Sequence, residues 1–150
     1  MDIQVLARKS ASKMLVETCL QVFRNELKLQ NSRYSLIVVP QRGMSVKEGV
    51  RGSVFKIAPT VIGMNIDTAL DIERLIIALA HEMVHVKQHA KNELQTGHAV
   101  AARGGLKIYS KWMGEIWKPK AKEDAYFDAP WEIEAYGREV GLYAKWINRN

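Results

Sequence analysis

Apolar residues recur along this chain at helical spacing in some stretches and at strand spacing in others. Residues 3 to 29 repeat apolar positions with lysine and arginine between them, which predicts one long amphipathic helix that covers a sheet. The apolar stripe of that helix consists of Leu15, Cys19, Val22, Phe23 and Leu27. Strands are predicted from Tyr34 to Val39, from Ser53 to Ala58 and from Val61 to Ile66, with a polar loop before the second. Together they predict a small three-stranded sheet.

Thr68 begins a second helical pattern, which we expect to run to about Leu94. Either Thr68 or Asp67 is the predicted N-cap, and Gly97 is the predicted stop. Asp71 suits the positive end of the helix dipole, because it falls in the first turn. This helix is the predicted centre of the fold.

The last third of the chain predicts a hairpin or an extended loop, followed by a final helix. Leu106 to Lys118 alternates around Met113-Gly114, which permits a turn. Pro130 suits the start of a helix that we expect from the next residue to about Ile147. Its predicted core positions are Ile133, Val140, Ala144 and Ile147. The order of elements predicts a single α+β domain over residues 1–150.

Composition places this domain among ordinary soluble proteins, with 47% hydrophobic and 25% charged residues. The net charge of +6 is spread along the chain, so we interpret it as solvated surface charge. No apolar run is long enough for a membrane span and no export signal is evident, so we expect a cytoplasmic protein. Cys19 is the single cysteine, which excludes an intramolecular disulfide and a cysteine-based zinc cage.

The most informative stretch is Leu75 to His89, which contains His81, Glu82 and His85 in the pattern His-Glu-x-x-His. Residues four apart lie on one face of a helix, so both histidines can offer nitrogens to one ion, for which zinc is expected. Glu82 would flank the metal and act as general base for a zinc-activated water. The six residues before His81 are apolar, so the motif lies on a buried helix; the alternative interpretation is two core histidines or a solvated helical edge.

The third protein ligand has to come from elsewhere. The long-spaced motif with glycine at position 88 and histidine at position 91 is excluded, because the chain has Gln88 and Lys91. His89 lies two turns from His81, about 12 Å along the axis, which is too far for one ion. We therefore expect His89 to be a surface residue.

Three candidates remain for that ligand: His98, Glu132 and Glu134. The two glutamates fall at the start of the last helix, where a carboxylate that faces the active helix would complete a site of two histidines and one glutamate. His98 follows a glycine a short way downstream of the motif. Spacing alone does not choose among them.

His81-Glu82-Met83-Val84-His85, followed by Glu132-x-x-Ala135, resembles the small gluzincin-type metallopeptidases, including ImmA/IrrE-like proteins and short peptidase-like proteins encoded by phages. The resemblance spans most of the chain and implies a zincin-like fold, a bound Zn²⁺ and hydrolysis of a peptide or protein substrate. It also implies that Glu132 is the third ligand and that Glu134 lies behind it or on the surface. For a phage-encoded chain the compartment would be the host cytoplasm.

Two details depart from this pattern or compete with it. Larger family members carry an acid four residues after the ligand glutamate, whereas this chain has Tyr136, so the usual support of an active histidine is missing there. SprT-like proteases share the helix motif and take a histidine after glycine as third ligand, as Gly97-His98 would supply. The residues after His98 do not continue that pattern.

A hydroxyl or imidazole near the site could stabilise the oxyanion, and Tyr136, Tyr126 and His98 are the candidates. For all three we favour a packing role. We expect a substrate peptide to lie extended along an edge strand drawn from Ser53 to Ile66.

Two other classes of function stay open. One is nucleic-acid binding, since aromatic and basic residues interleave in one segment. That segment contains Tyr109, Lys111, Trp112, Trp117, Lys118, Lys120 and Lys122. A hairpin that closes the site explains the same residues. The other class is a non-catalytic structural protein of a phage-type assembly, stabilised by zinc.

Overall fold

Within residues 1–119 and 125–149, which the computed structural model describes, the chain forms seven strands and four helices. In order they are β1 (Asp2–Val5), α1 (Ala11–Glu26), β2 (Ser35–Pro40), α2 (Met44–Glu48), β3 (Gly52–Ala58), β4 (Val61–Ile66), α3 (Ile72–Ala90), β5 (Leu94–Ala102), β6 (Gly105–Trp112), β7 (Glu115–Trp117) and α4 (Pro130–Ile147). The predicted α+β class is confirmed. No helix of these residues is long and apolar enough to cross a membrane.

The main sheet has the strand order β1-β2-β4-β3, so it contains four strands where the sequence predicted three. β1, β2 and β4 are parallel, and β3 pairs with β4 in the antiparallel direction at the edge. The helix predicted over residues 3 to 29 was therefore wrong at its beginning. Ile3 and Val5 pair in register with Leu36 and Val38, and they pack on the core as a strand.

α1 begins only after Ser10, whose hydroxyl accepts a hydrogen bond from the Lys13 N–H. Its predicted apolar stripe is confirmed: Cys19, Phe23 and Leu27 are buried, and Leu15 and Val22 pack against the core. α1, α3 and α4 contact one another, and their buried side chains share one core with the main sheet. This packing fixes α4 beside α3, which carries the His-Glu-x-x-His motif.

α3 starts later and ends earlier than predicted. Asp71 is the N-cap, because its carboxylate accepts the Arg74 N–H at 2.9 Å. Asp67 instead accepts backbone hydrogen bonds from Gly43 at 2.9 Å and Ser45 at 2.8 Å, and so holds α2 in the loop after β2. The helix ends before Asn92, which has a left-handed backbone with φ of 56°.

A second sheet, the β5–β7 sheet, follows α3 in the order β5-β6-β7 with antiparallel pairing. Its β6–β7 hairpin is the one predicted, with Met113 and Gly114 both at positive φ in the turn. β5 was not predicted, because its sequence LQTGHAVAA consists mostly of polar and small residues and lacks a run of alternating large apolar residues. Gly97, the predicted helix stop, lies instead at an irregularity of the β5–β6 pairing.

α4 occupies the predicted range but faces the core with other residues. Its buried side chains are Glu132, Ala135, Leu142 and Trp146. The predicted core residues Ile133, Val140 and Ile147 are each more than half exposed, and Ala144 is exposed as well. The prediction failed because one buried position of this helix holds a carboxylate, which a hydrophobic pattern assigns to solvent.

Candidate metal centre

His81, His85 and Glu132 converge at the place where α3 packs on α4. The two histidine Nε2 atoms are 3.2 Å apart, and the Glu132 carboxylate oxygens lie 3.2 Å from Nε2 of His81 and 3.3 Å from Nε2 of His85. Ligand atoms of a tetrahedral ion with bonds of about 2.0 Å are spaced by roughly 3.3 Å. The three residues are buried, and this donor set fits zinc or a similar divalent ion.

The other proposed ligands lie elsewhere. Glu134 faces Lys87 and Gln88, and His98 lies on β5, in register with Tyr109 of β6. His89 is 6% exposed, so the expectation of a surface histidine was wrong. Burial, together with His85 and Lys56, lowers the pKa of His89 to about 4, so its ring is neutral at pH 7.

The outer nitrogen of each motif histidine has a hydrogen-bond partner. Nδ1 of His81 lies 2.8 Å from Oε2 of Glu139, and Nδ1 of His85 lies 2.8 Å from Oε1 of Gln88. When the rings are neutral, both acceptors favour a proton on Nδ1, which leaves the Nε2 lone pairs directed at the position that a metal ion would take. Support of His81 therefore exists despite Tyr136, because Glu139 supplies it.

The sequence did not predict that Glu139 and Gln88 contact the two motif histidines. Glu139 is seven residues after Glu132, which is two turns along the same helix face, so helical spacing from the ligand could have indicated it. Gln88 had been used only to exclude the long-spaced zinc motif. Its role depends on a contact with His85 three residues earlier on α3.

Electrostatics separates the two central carboxyl groups. Burial alone would raise the pKa of Glu132, but hydrogen bonds with His81 and His85 lower it to about 2, so it is ionised. Burial raises the pKa of Glu82 to about 7 despite the opposing effect of the two histidines. Burial disfavours the charged form of His81 and His85, whereas Glu132 favours it. The net result is that the pKa values of both histidines are raised. Glu82 can therefore accept and return a proton near neutral pH.

A groove runs past this centre between β3 and the two helices. It consists of two adjoining cavities of about 490 and 290 Å³. Residues that line both cavities are Val50, Gly52, His81, Glu82 and Tyr126. A Cβ on Gly52 would lie 2.7 Å from Cγ of Glu82, so glycine permits β3 to pass directly beside this carboxylate.

Tyr136 and Tyr126 line the groove. The Tyr136 ring packs edge-on against His81 with centroids 4.6 Å apart, and its hydroxyl is 3.3 Å from that of Tyr126. Burial, with Tyr136 and Glu132 nearby, raises the pKa of Tyr126, so its hydroxyl keeps its proton. A role of either hydroxyl at the oxyanion stays a prediction.

The aromatic and basic segment joins the β5–β7 sheet to α4. The rings of Trp112 and Trp117 lie 6.3 and 5.0 Å from that of Trp131. The Lys118 ammonium lies 5.2 Å from the Tyr109 ring centroid. Lys120 and Lys122 lie outside the described residues. The two half-buried tryptophans therefore pack against α4, and nucleic-acid binding by this segment stays an alternative prediction.

Comparison of the chain with protein-family models, with curated proteins and with solved structures found no match. The fold and the site by themselves define an α+β protein with a buried group of two histidines and one glutamate that could hold a metal ion.

Proposed function

We propose that this chain is a zinc-dependent peptidase with a zincin-like fold, similar to the gluzincin-type metallopeptidases. The observation that carries the proposal is the spacing of the three donor groups of His81, His85 and Glu132, beside the buried carboxyl of Glu82. Each histidine also has a hydrogen-bond partner on Nδ1, as metal-ligating histidines almost always do.

His81, His85 and Glu132 would hold the ion with one position open to the groove. Zinc held by these residues would supply a lowered pKa of water, about 7, and polarisation of an amide carbonyl. Glu82 accepts the proton of the attacking water and later gives it to the leaving amine. In the metal-free protein, burial raises the pKa of this carboxyl above its usual value, which suits a group that both accepts and returns a proton.

A peptide would lie extended along β3. Among the described residues no strand pairs with the outer edge of β3, and its first residues line the groove beside Glu82. Main-chain pairing with this edge would set an amide carbonyl opposite the donor groups. The two cavities offer space for side chains on either side of the bond that is cut.

The first test is the zinc content of protein purified without added metal. We expect about one zinc per chain in the wild type and in His98→Ala, and almost none in Glu132→Ala. Wild-type protein that cannot be loaded with zinc would refute the proposal. Zinc lost in His98→Ala but kept in Glu132→Ala would favour the SprT-like ligand set.

The second test separates catalysis from a structural role of the metal. Glu82→Gln should retain zinc and fold while hydrolysis of an unfolded protein substrate stops. If the zinc-loaded wild type is as inactive as Glu82→Gln on such substrates, the non-catalytic alternative is favoured.

A further inference from the structure

Lys87 is a lysine inside the protein, two residues after His85 on α3. It is 6% exposed, and its ammonium lies 2.7 Å from Oε1 of Glu93 and 2.6 Å from Oε2 of Glu134. Lysine is seldom buried unless it is paired, because desolvation of the charge is costly. One ammonium here joins two carboxylates from different parts of the chain.

A chain of hydrogen bonds leads from this ammonium to the metal centre. The second oxygen of Glu134 accepts one from Nε2 of Gln88 at 2.9 Å, and the Trp131 carbonyl accepts another from the same nitrogen at 2.9 Å. With both amide hydrogens used, Oε1 of Gln88 must face Nδ1 of His85, at 2.8 Å. Burial alone would raise the pKa of Glu134, but Lys87 and Gln88 hold it below its usual value.

In the other direction, contacts lead from Lys87 to the β5–β7 sheet, at Glu93 and the β6–β7 turn. The Glu93 N–H donates to the Gln88 carbonyl at 2.8 Å, and the Glu93 carbonyl accepts from the Met113 N–H at 2.8 Å. Glu93 therefore fastens the β6–β7 turn to the end of α3. The two tryptophans of the sheet pack on Trp131, whose carbonyl holds Gln88. The β5–β7 sheet therefore contacts Gln88, the partner of His85, by two routes: through Glu93 and through Trp131.

We propose that Lys87 is a positioning residue that couples the seating of the β5–β7 sheet to the orientation of His85. The consequence for the metal rests on the proposed function, in which His85 is a ligand. Coupling between two sites is reciprocal. Metal binding should therefore tighten the base of the sheet, and a substrate that presses on the sheet should change the affinity for the metal.

The test compares Lys87→Met with Lys87→Arg, which keeps the charge, and with Arg138→Met. Arg138 also contacts Glu134, at 3.1 Å, but its side chain is 53% exposed, so it is a matched control for a screened ion pair. ¹⁵N NMR of the metal-free protein, at a pH high enough for the His85 ring to be neutral, reports whether its single proton stays on Nδ1. Competition with a chelator gives the zinc affinity. The rate of hydrogen exchange at the Met113 amide reports how stably the β6–β7 turn is bonded to the Glu93 carbonyl.

In Lys87→Met we expect mixed His85 tautomers and zinc binding weaker by about tenfold, the lower end of the effect of outer partners of metal ligands. Lys87→Arg should recover part of the affinity, and Arg138→Met should match the wild type. In the wild type, zinc should slow exchange at the Met113 amide, and in Lys87→Met it should not. A folded Lys87→Met with the wild-type tautomer and zinc affinity would overturn the proposal.

If Lys87→Met does not fold, because Glu93 loses the Lys87 ammonium and Glu134 keeps only the exposed Arg138, Glu93→Gln takes its place. It weakens the ion pair to the sheet and keeps the Lys87–Glu134 contact, so zinc should lose its effect on the Met113 amide. An unchanged effect of zinc there would refute the coupling. If the wild type binds no zinc, the proposed function fails, while the His85 tautomer in Lys87→Met still decides whether Lys87 positions that ring.

Discussion

Replacing Glu139 with alanine removes the only carboxylate on the outer nitrogen of His81 among the described residues. The two groups are 2.8 Å apart, and the Glu139 side chain is 18% exposed, so the hydrogen bond is charge-assisted and mostly shielded from water. Such bonds contribute about 1.5–3 kcal/mol, and about 1.4 kcal/mol corresponds to a factor of ten in affinity. We therefore expect Glu139→Ala to bind zinc about 10- to 100-fold more weakly.

The assay is competition for zinc with a chelator of known affinity at neutral pH. Glu139→Gln keeps a neutral acceptor and should lose less than Glu139→Ala. Glu17→Ala, which removes an exposed carboxylate of α1, is the control for general electrostatics. His81→Ala should itself bind almost no zinc, because it removes a proposed ligand. Wild-type zinc affinity in Glu139→Ala, or the same loss of affinity in Glu17→Ala, would refute the reasoning.

Three further predictions concern the groove, the metal and acid stability. Gly52→Ala places a Cβ 2.7 Å from Cγ of Glu82 and 3.0 Å from the Asn65 carbonyl, so hydrolysis should fall more than about tenfold in kcat/KM while zinc stays bound. Zinc at a thousandfold excess over its Kd should raise the Tm of the metal-free wild type by roughly 10 °C, and should leave Glu132→Ala nearly unchanged in a thermal melt. Burial alone would raise the pKa of Asp67, but the four hydrogen bonds to its carboxylate hold that pKa well below its usual range. Its stabilisation is therefore present at neutral pH and is lost as the pH falls below about 4. Asp67→Asn should be less stable by about 3 kcal/mol at pH 7, with a gap that narrows in acid; a constant gap in urea unfolding would contradict this.

Local spacing explains what the sequence could predict. The relation of His81 to His85 follows from helix geometry alone, and the apolar run before His81 already implies burial. Strands β3 and β4 and the β6–β7 hairpin were predicted because alternation and turn residues lie within the elements themselves. The assignment of Glu132 as third ligand came from the resemblance, and it stays a prediction that the convergence of the donor groups supports.

Contacts between distant segments explain what was missed. Four residues of β1 form a strand because β2 pairs with them 33 positions later, while their sequence also fits the helical pattern that follows. Glu139 is a surface acid by composition and becomes the partner of His81 only when α4 packs on α3. His89 is buried by the groove wall, which no spacing along its own helix reveals.

The outer edge of β3, with which no strand of the described residues pairs, also bears on self-association. An unpaired edge strand can accept a strand from another copy of the same chain, by the same main-chain pairing that is proposed for a peptide. Lys56, in the middle of β3, is in register with the buried Ile62, and its ammonium lies 5.4 Å from the centroid of the Tyr34 ring at the helix side of the sheet. Lys56 is exposed, and a charge on an edge strand makes continuous sheet growth costly. This lysine therefore opposes edge-to-edge association of β3, in addition to the net charge of the chain.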